Sequence, residues 1–155
     1  ADLLRGVLHE GELRQPDLQS LAARRPLLVE MDPRVPPALY ETLVPAGLYH
    51  AVVDGGATDT DVREAAEPHQ ALVSRLHAHV GAEGDLDRET ANQLVWLHYM
   101  DAVHYAAVGA REPARRAVRR ALALAPRAAE LQGLAAALEG GEGPVAVDAF
   151  LVGER

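Results

Sequence analysis

Three residues at spacings of three, His98, Asp101 and His104, are of the types that hold transition metals or move protons. On a helix, at about 100° per residue, His98 and Asp101 point about 60° apart, whereas His104 points about 120° from His98. One ion cannot easily collect all three. The spacing therefore favours a polar pair, His98 with Asp101, hydrogen-bonded between helices, over a metal ligand set. His77 and His79 diverge further, by about 160° on the same helix.

A second candidate is Asp32 with Asp54. Each closes a short apolar run, Leu27–Met31 and Leu48–Val53, that reads as a strand. If those strands run parallel through the short intervening helix, both carboxylates lie beyond carboxyl ends, where ligands of α/β folds bind, and a metal or a sugar would suit them. The plainer expectation is two turn residues, since Asp32 precedes Pro33 and Asp54 precedes Gly55. Ser20 and Ser74 are the serines available as nucleophiles, and neither sits in a G-x-S-x-G elbow.

The chain has no cysteine, which removes disulfides, zinc-thiolate sites and a cysteine nucleophile. It also has no lysine, which excludes a Walker A loop and a Schiff base. No cofactor-binding, metal or catalytic residue is assigned from the sequence.

The elements that must position these residues follow from composition and periodicity. With 155 residues and 48% hydrophobic content the chain suits one compact unit. Aromatics are only 4%, so alanine, leucine and valine fill the core and favour helix. A net charge of −8 argues against a nucleic-acid binder. No run approaches the ~18–20 apolar residues that span a bilayer, and the start lacks a signal-peptide pattern, so the chain is expected to be soluble as it stands. It begins at alanine in mid-pattern, and is expected to be a piece of a longer protein.

Residues 1–57 are predicted to form a small α/β part, 58–143 a helical part, and 144–155 a short strand or tail. A helix is expected from Pro16 to Arg24, a strand over Leu27–Met31, a short helix from Pro36 through Leu43, and a second strand over Leu48–Val53. Asp59, Asp61 and Glu64 open a helix that Pro68 kinks or restarts, and His69, Leu72, Val73, Leu76 and Val80 share its apolar face. Asp87 caps the next helix, which runs to about Val108 and carries two apolar stripes, so it is expected to lie sandwiched between neighbours. Gly109 breaks it, Pro113 opens another helix, and Pro126 separates that from the last. The fold class is therefore α+β, mainly α.

Tyr105, Gly109, Ala114, Val118, Ala121 and Pro126 stand at offsets of 4, 5, 4, 3 and 5. This resembles a tetratricopeptide repeat, in which small residues let paired helices approach closely, and the match covers about one 34-residue unit. His98 and Asp101 depart from the pattern, standing where the family prefers tryptophan and leucine. The resemblance implies protein–protein interaction and no catalytic residues. A single repeat cannot bury its own faces, so the earlier helices must cover it.

A second resemblance rests on Arg25-Pro26-Leu27-Leu28-Val29 and Leu43-Val44-Pro45-Ala46-Gly47-Leu48-Tyr49, followed by repeat-like helices. Together they look like the soluble C-terminal tail of bacterial polytopic membrane proteins similar to protein O-mannosyltransferases. That would place this chain outside the cytoplasm, as the tail of a parent glycosyltransferase in the bacterial cytoplasmic membrane whose catalytic acid lies elsewhere.

The surface feature expected to recognise partners is a run of arginines, Arg111, Arg115, Arg116, Arg119, Arg120 and Arg127. These suit an acidic protein or peptide, anionic lipid headgroups, or the acidic face of a second copy in a homo-oligomer. The sequence thus reads as a non-catalytic accessory or protein-interaction domain. The competing readings are a free-standing or regulator-derived peptide-binding repeat module, and a small enzyme or metal- or sugar-binding domain using Asp32 and Asp54.

Overall fold

The computed structural model describes residues 20–24, 26–31, 35–82 and 87–151. Three short strands form one antiparallel sheet in the order β1-β3-β2: β1 Leu28–Val29, β2 Leu43–Ala46 and β3 Tyr49–Val52. Among the described residues five helices follow: α1 Asp59–Ala82, α2 Arg88–Ala107, α3 Arg111–Leu124, α4 Ala129–Glu139 and the single turn α5 Asp148–Leu151. The fold is α+β and mainly α, with antiparallel helix packing compatible with a helical repeat.

The parallel crossover expected between the first two apolar runs does not form. Leu28 pairs with Ala51 and Val29 with His50 in antiparallel register. The carboxyl ends of β1 and β3 therefore point in opposite directions, and the shared strand-end site on which an Asp32–Asp54 pairing depended is gone. The crossover fails because an additional strand, β2, intervenes. The expected helix is a 3-10 segment, Pro37–Thr42, that stops before Leu43. From there the chain extends through Pro45 to Ala46 and turns back tightly, with Ala46 opposite Tyr49. Pro45 lacks an amide donor and is tolerated because β2 is an edge strand. Gly47, at φ +68°, occupies the first position of the two-residue turn and Leu48 the second, the arrangement that suits the twist of a hairpin.

Helix α1 begins with a reciprocal cap. The Asp61 carboxylate accepts from the Thr58 amide at 2.8 Å, and the Thr58 hydroxyl accepts from the Asp61 amide at 3.1 Å. The helix then runs unbroken past Pro68. The amide that Pro68 lacks would have served Glu64, and both residues are exposed, so water can satisfy the carbonyl. Asp87 caps α2 as its sequence suggests, accepting from the Glu89 and Thr90 amides at 2.9 Å each. At the other end Ala110 N donates to Tyr105 O and Gly109 N to Ala106 O, a Schellman closure with Gly109 at φ +83°.

Helix α2 is the centre of the molecule. From His98 to Ala106 every residue is buried, and the helix packs against α3, α4, α1 and the 3-10 segment. One apolar cluster runs from Met31 and Leu43 of the sheet region through Val103 and Ala117 to Leu138 and Val147. The repeat residues Tyr105, Ala114, Val118 and Ala121 are buried within it, while Pro126 is exposed between α3 and α4. The strand expected after Pro144 is replaced by an extended stretch and the turn α5. Val145 N bonds to Ala106 O at the end of α2, and Tyr99 Oη donates to Phe150 O, so this segment packs on helices and does not join the sheet.

Candidate functional site

The two places where the chain departs from the repeat pattern, His98 and Asp101, lie inside the fold at 1% exposure each. They are not bonded to one another, contrary to the expected pairing. The partner of Asp101 is His69 on α1, with Oδ2 at 2.9 Å from Nε2. The other ring nitrogen of His69, Nδ1, lies 2.6 Å from the carbonyl of Gly47 at the hairpin turn. A carbonyl only accepts, so Nδ1 carries a hydrogen and Nε2 faces the carboxylate. Helix α1, helix α2 and the hairpin are thereby tied through one imidazole.

Around this pair stand two more buried histidines. The His50 ring on β3 is 5.5 Å from that of His69 and 4.8 Å edge-on from that of His104. His104 Nε2 is 3.2 Å from Tyr40 O. Both nitrogens of His50, Nδ1 of His104, Nε2 of His98, Oδ1 of Asp101 and the Tyr105 hydroxyl are buried without a hydrogen-bond partner among the described residues.

Protonation follows from this packing. Burial, reinforced by His104 and His69, pushes His50 down to about 2. Burial likewise lowers His104 to about 4, against the carbonyls of Tyr40 and Leu43. Burial, then Arg120 and His77, brings His98 to about 4. These three rings are neutral at pH 7. For His69 burial opposes the charge, yet the hydrogen bond and charge of Asp101 outweigh it and the pKa rises. Burial raises Asp101. The two side chains are coupled through the bond between His69 Nε2 and Asp101 Oδ2.

Beside this cluster lies a cleft of about 630 Å³ between the hairpin, α1 and α2, with the buried His50 and Asp101 at its base. Leu48, Tyr49, Leu76 and Trp96 form apolar walls, and all four are more than a third exposed. Glu30, Thr90 and Gln93 supply polar lining. Among the described residues no group of three His, Cys, Asp or Glu side chains is disposed to hold a metal ion.

Asp54 is exposed in the turn after β3, and Asp32 lies outside the described residues. The arginine run divides. Arg111 donates to the carbonyls of Gly143 at 2.6 Å and Leu138 at 2.8 Å, and Arg115 donates to Leu138 O at 2.8 Å. Both cap the carboxyl end of α4, where cations are favoured. Arg116 reaches Gln70 and Glu67 on α1 at 3.0 and 2.6 Å. Arg120 is half-buried, and Arg119 and Arg127 are exposed.

Spacing alone does not single out His50 and His69 as site residues, though each leaves a trace in the sequence. His69 falls on the apolar face of α1, and His50 takes the buried place in the alternation of Tyr49, His50, Ala51 and Val52. Compared with protein-family models, curated proteins and solved structures, the chain shows no match.

Proposed function

We propose that this chain is a non-catalytic binding domain that receives an apolar segment of a partner protein in the cleft between the hairpin, α1 and α2. The observation that carries this reading is the gathering of exposed apolar surface. Of the five large hydrophobic side chains exposed among the described residues, Leu28, Leu48, Tyr49, Leu76 and Trp96, four line this one cleft. The chemistry of the floor supports binding over acid–base catalysis. Both nitrogens of His69 face oxygens of the fold, so neither is directed at a substrate, and His50 is too weak a base at neutral pH. The cleft is favoured over the arginine run because Arg111, Arg115 and Arg116 are engaged within the chain.

Trp96 is the sole tryptophan and lines the cleft, so its fluorescence reports on that wall. Because it also borders a second groove with Phe150 and Leu151, the Leu76 variant, which alters the cleft alone, assigns the signal. Peptides selected from a displayed library against the chain should shift Trp96 emission and lose binding to Leu76→Glu. Selected peptides that bind this variant equally well would place recognition elsewhere.

The same proposal sets the domain at the soluble C-terminal end of a membrane glycosyltransferase-like protein. The support is the motif Pro45-Ala46-Gly47-Leu48, which builds the hairpin turn on which His69 is anchored. Among the described residues no helix is long and apolar enough to cross a membrane. Sequencing the coding region upstream of residue 1 tests the assignment. Hydrophobic spans of about 20 residues are expected, and a sensor or DNA-binding domain there would overturn it in favour of a regulator-derived module.

A further inference from the structure

The geometry points to a lysine side chain of the partner segment as the group that enters this cleft, its ammonium directed at Asp101 and its methylene stem lying along Trp96 and Leu76. The inference rests on the cleft being the binding site proposed above. It is carried by three features of the lining. The first is sign: among the described residues Glu30 and Asp101 are the acidic residues of the lining, and no arginine is among them. A cationic group would meet two acidic side chains there and, among the described residues, no arginine.

The second is unmet hydrogen bonding. Asp101 is buried, its Oδ2 is taken by His69, and Oδ1 has no partner among the described residues. His50, on the same floor, has neither ring nitrogen bonded among the described residues, and its neutral ring offers one acceptor. Leaving such groups unpaired in a dry interior is costly, and a carboxylate oxygen costs most. An ammonium brings three donors, enough for Asp101 Oδ1 and the accepting nitrogen of His50 together.

The third is the wall. Trp96 and Tyr49, 44% and 48% exposed, supply aromatic surface for a cation and its stem. Size then chooses between cations. The unpaired floor atoms present almost no surface, so side chains above them must shift for a ligand to reach them. A slim stem ending in a compact ammonium demands less opening than a planar guanidinium.

The test uses the whole chain and four small probes: the N-acetyl amides of lysine, Nε-acetyl-lysine, norleucine and arginine. Trp96 fluorescence and the ring resonances of His50 are followed during titration. The lysine probe should give saturable shifts in both. Nε-Acetyl-lysine and norleucine should bind at least about tenfold more weakly, the factor lost with one charge-assisted hydrogen bond. Asp101→Asn should remove the same preference while keeping the far-UV circular dichroism of the native fold. If the variant does not fold, the comparison of lysine with norleucine on the native chain decides alone.

Norleucine binding as tightly as lysine would overturn the ammonium assignment and leave the apolar cleft standing. Arginine binding more tightly than lysine would overturn the choice of cation. No shift of Trp96 with any probe would overturn the lysine assignment, while the peptide selection above would still report on the cleft.

Discussion

Lowering the pH from 7.5 to 5.0 should weaken this fold substantially, because histidines buried as neutral rings must pick up protons on unfolding. The structure sets the size of the effect. His50 and His104 titrate from an ordinary value of 6.5 down to about 2 and about 4 in the folded chain. A group whose folded pKa is depressed binds more protons when unfolded, so stability rises with pH across the window between the two values and falls as acid is added. At pH 5.0 each unfolded ring gains about 2 kcal/mol from protonation that the folded ring cannot take, and at pH 7.5 almost none. The two together remove about 4 kcal/mol, a large part of the 5–15 kcal/mol of a typical domain.

His98 acts in the same direction. His69 acts in the opposite one: its raised pKa gives a contribution that is complete below 6.5 and is lost as the pH rises through the folded value. Stability should therefore also decline on the alkaline side. The exposed caps Asp61 and Asp87, both held below the usual carboxylate value by Thr58 and Thr90, stay ionised at pH 5.0 and do not confuse the measurement. Urea unfolding followed by far-UV circular dichroism at the two pH values measures the difference. In His104→Gln the difference should shrink by about 2 kcal/mol, since one titrating ring is gone. Equal stability at pH 7.5 and 5.0, or an undiminished difference in the variant, would refute the buried-neutral assignment.

Two further substitutions probe the packing. Tyr105→Phe removes a buried hydroxyl that has no partner among the described residues, so stability should change by less than about 1 kcal/mol or increase, as calorimetry would show. Arg111→Ala should cost about 2 kcal/mol by urea unfolding, because the carbonyls of Leu138 and Gly143 lose a charged donor, whereas Arg119→Ala, on the exposed side, should lie within about 0.5 kcal/mol of the native chain.

What the chain reveals by itself is local. Asp61, Asp87, Gly109 and Pro113 act on neighbours within one helical turn, so their types and spacing are sufficient to place the ends of α1, α2 and α3, although the Thr58 side of the first cap emerges only in the structure. The two stripes of α2 likewise report that it is packed on both sides. The repeat spacing from Tyr105 to Ala121 anticipates which small residues are buried between helices.

Tertiary structure alone decides the pairings. Leu43–Ala46 carries a proline and no alternation, and it becomes a strand only because β3 folds back upon it. Asp101 takes His69, 32 residues away, where helical spacing suggested His98, because the wall facing Asp101 is built by α1 and the hairpin. The arginines look alike in a helical projection, yet Arg111 and Arg115 meet the end of α4, Arg116 meets α1, and Arg119 meets water. Spacing determines which side of a helix a residue occupies. What stands opposite that side depends on how distant elements are brought together, and the cleft exists only where the hairpin, α1 and α2 meet.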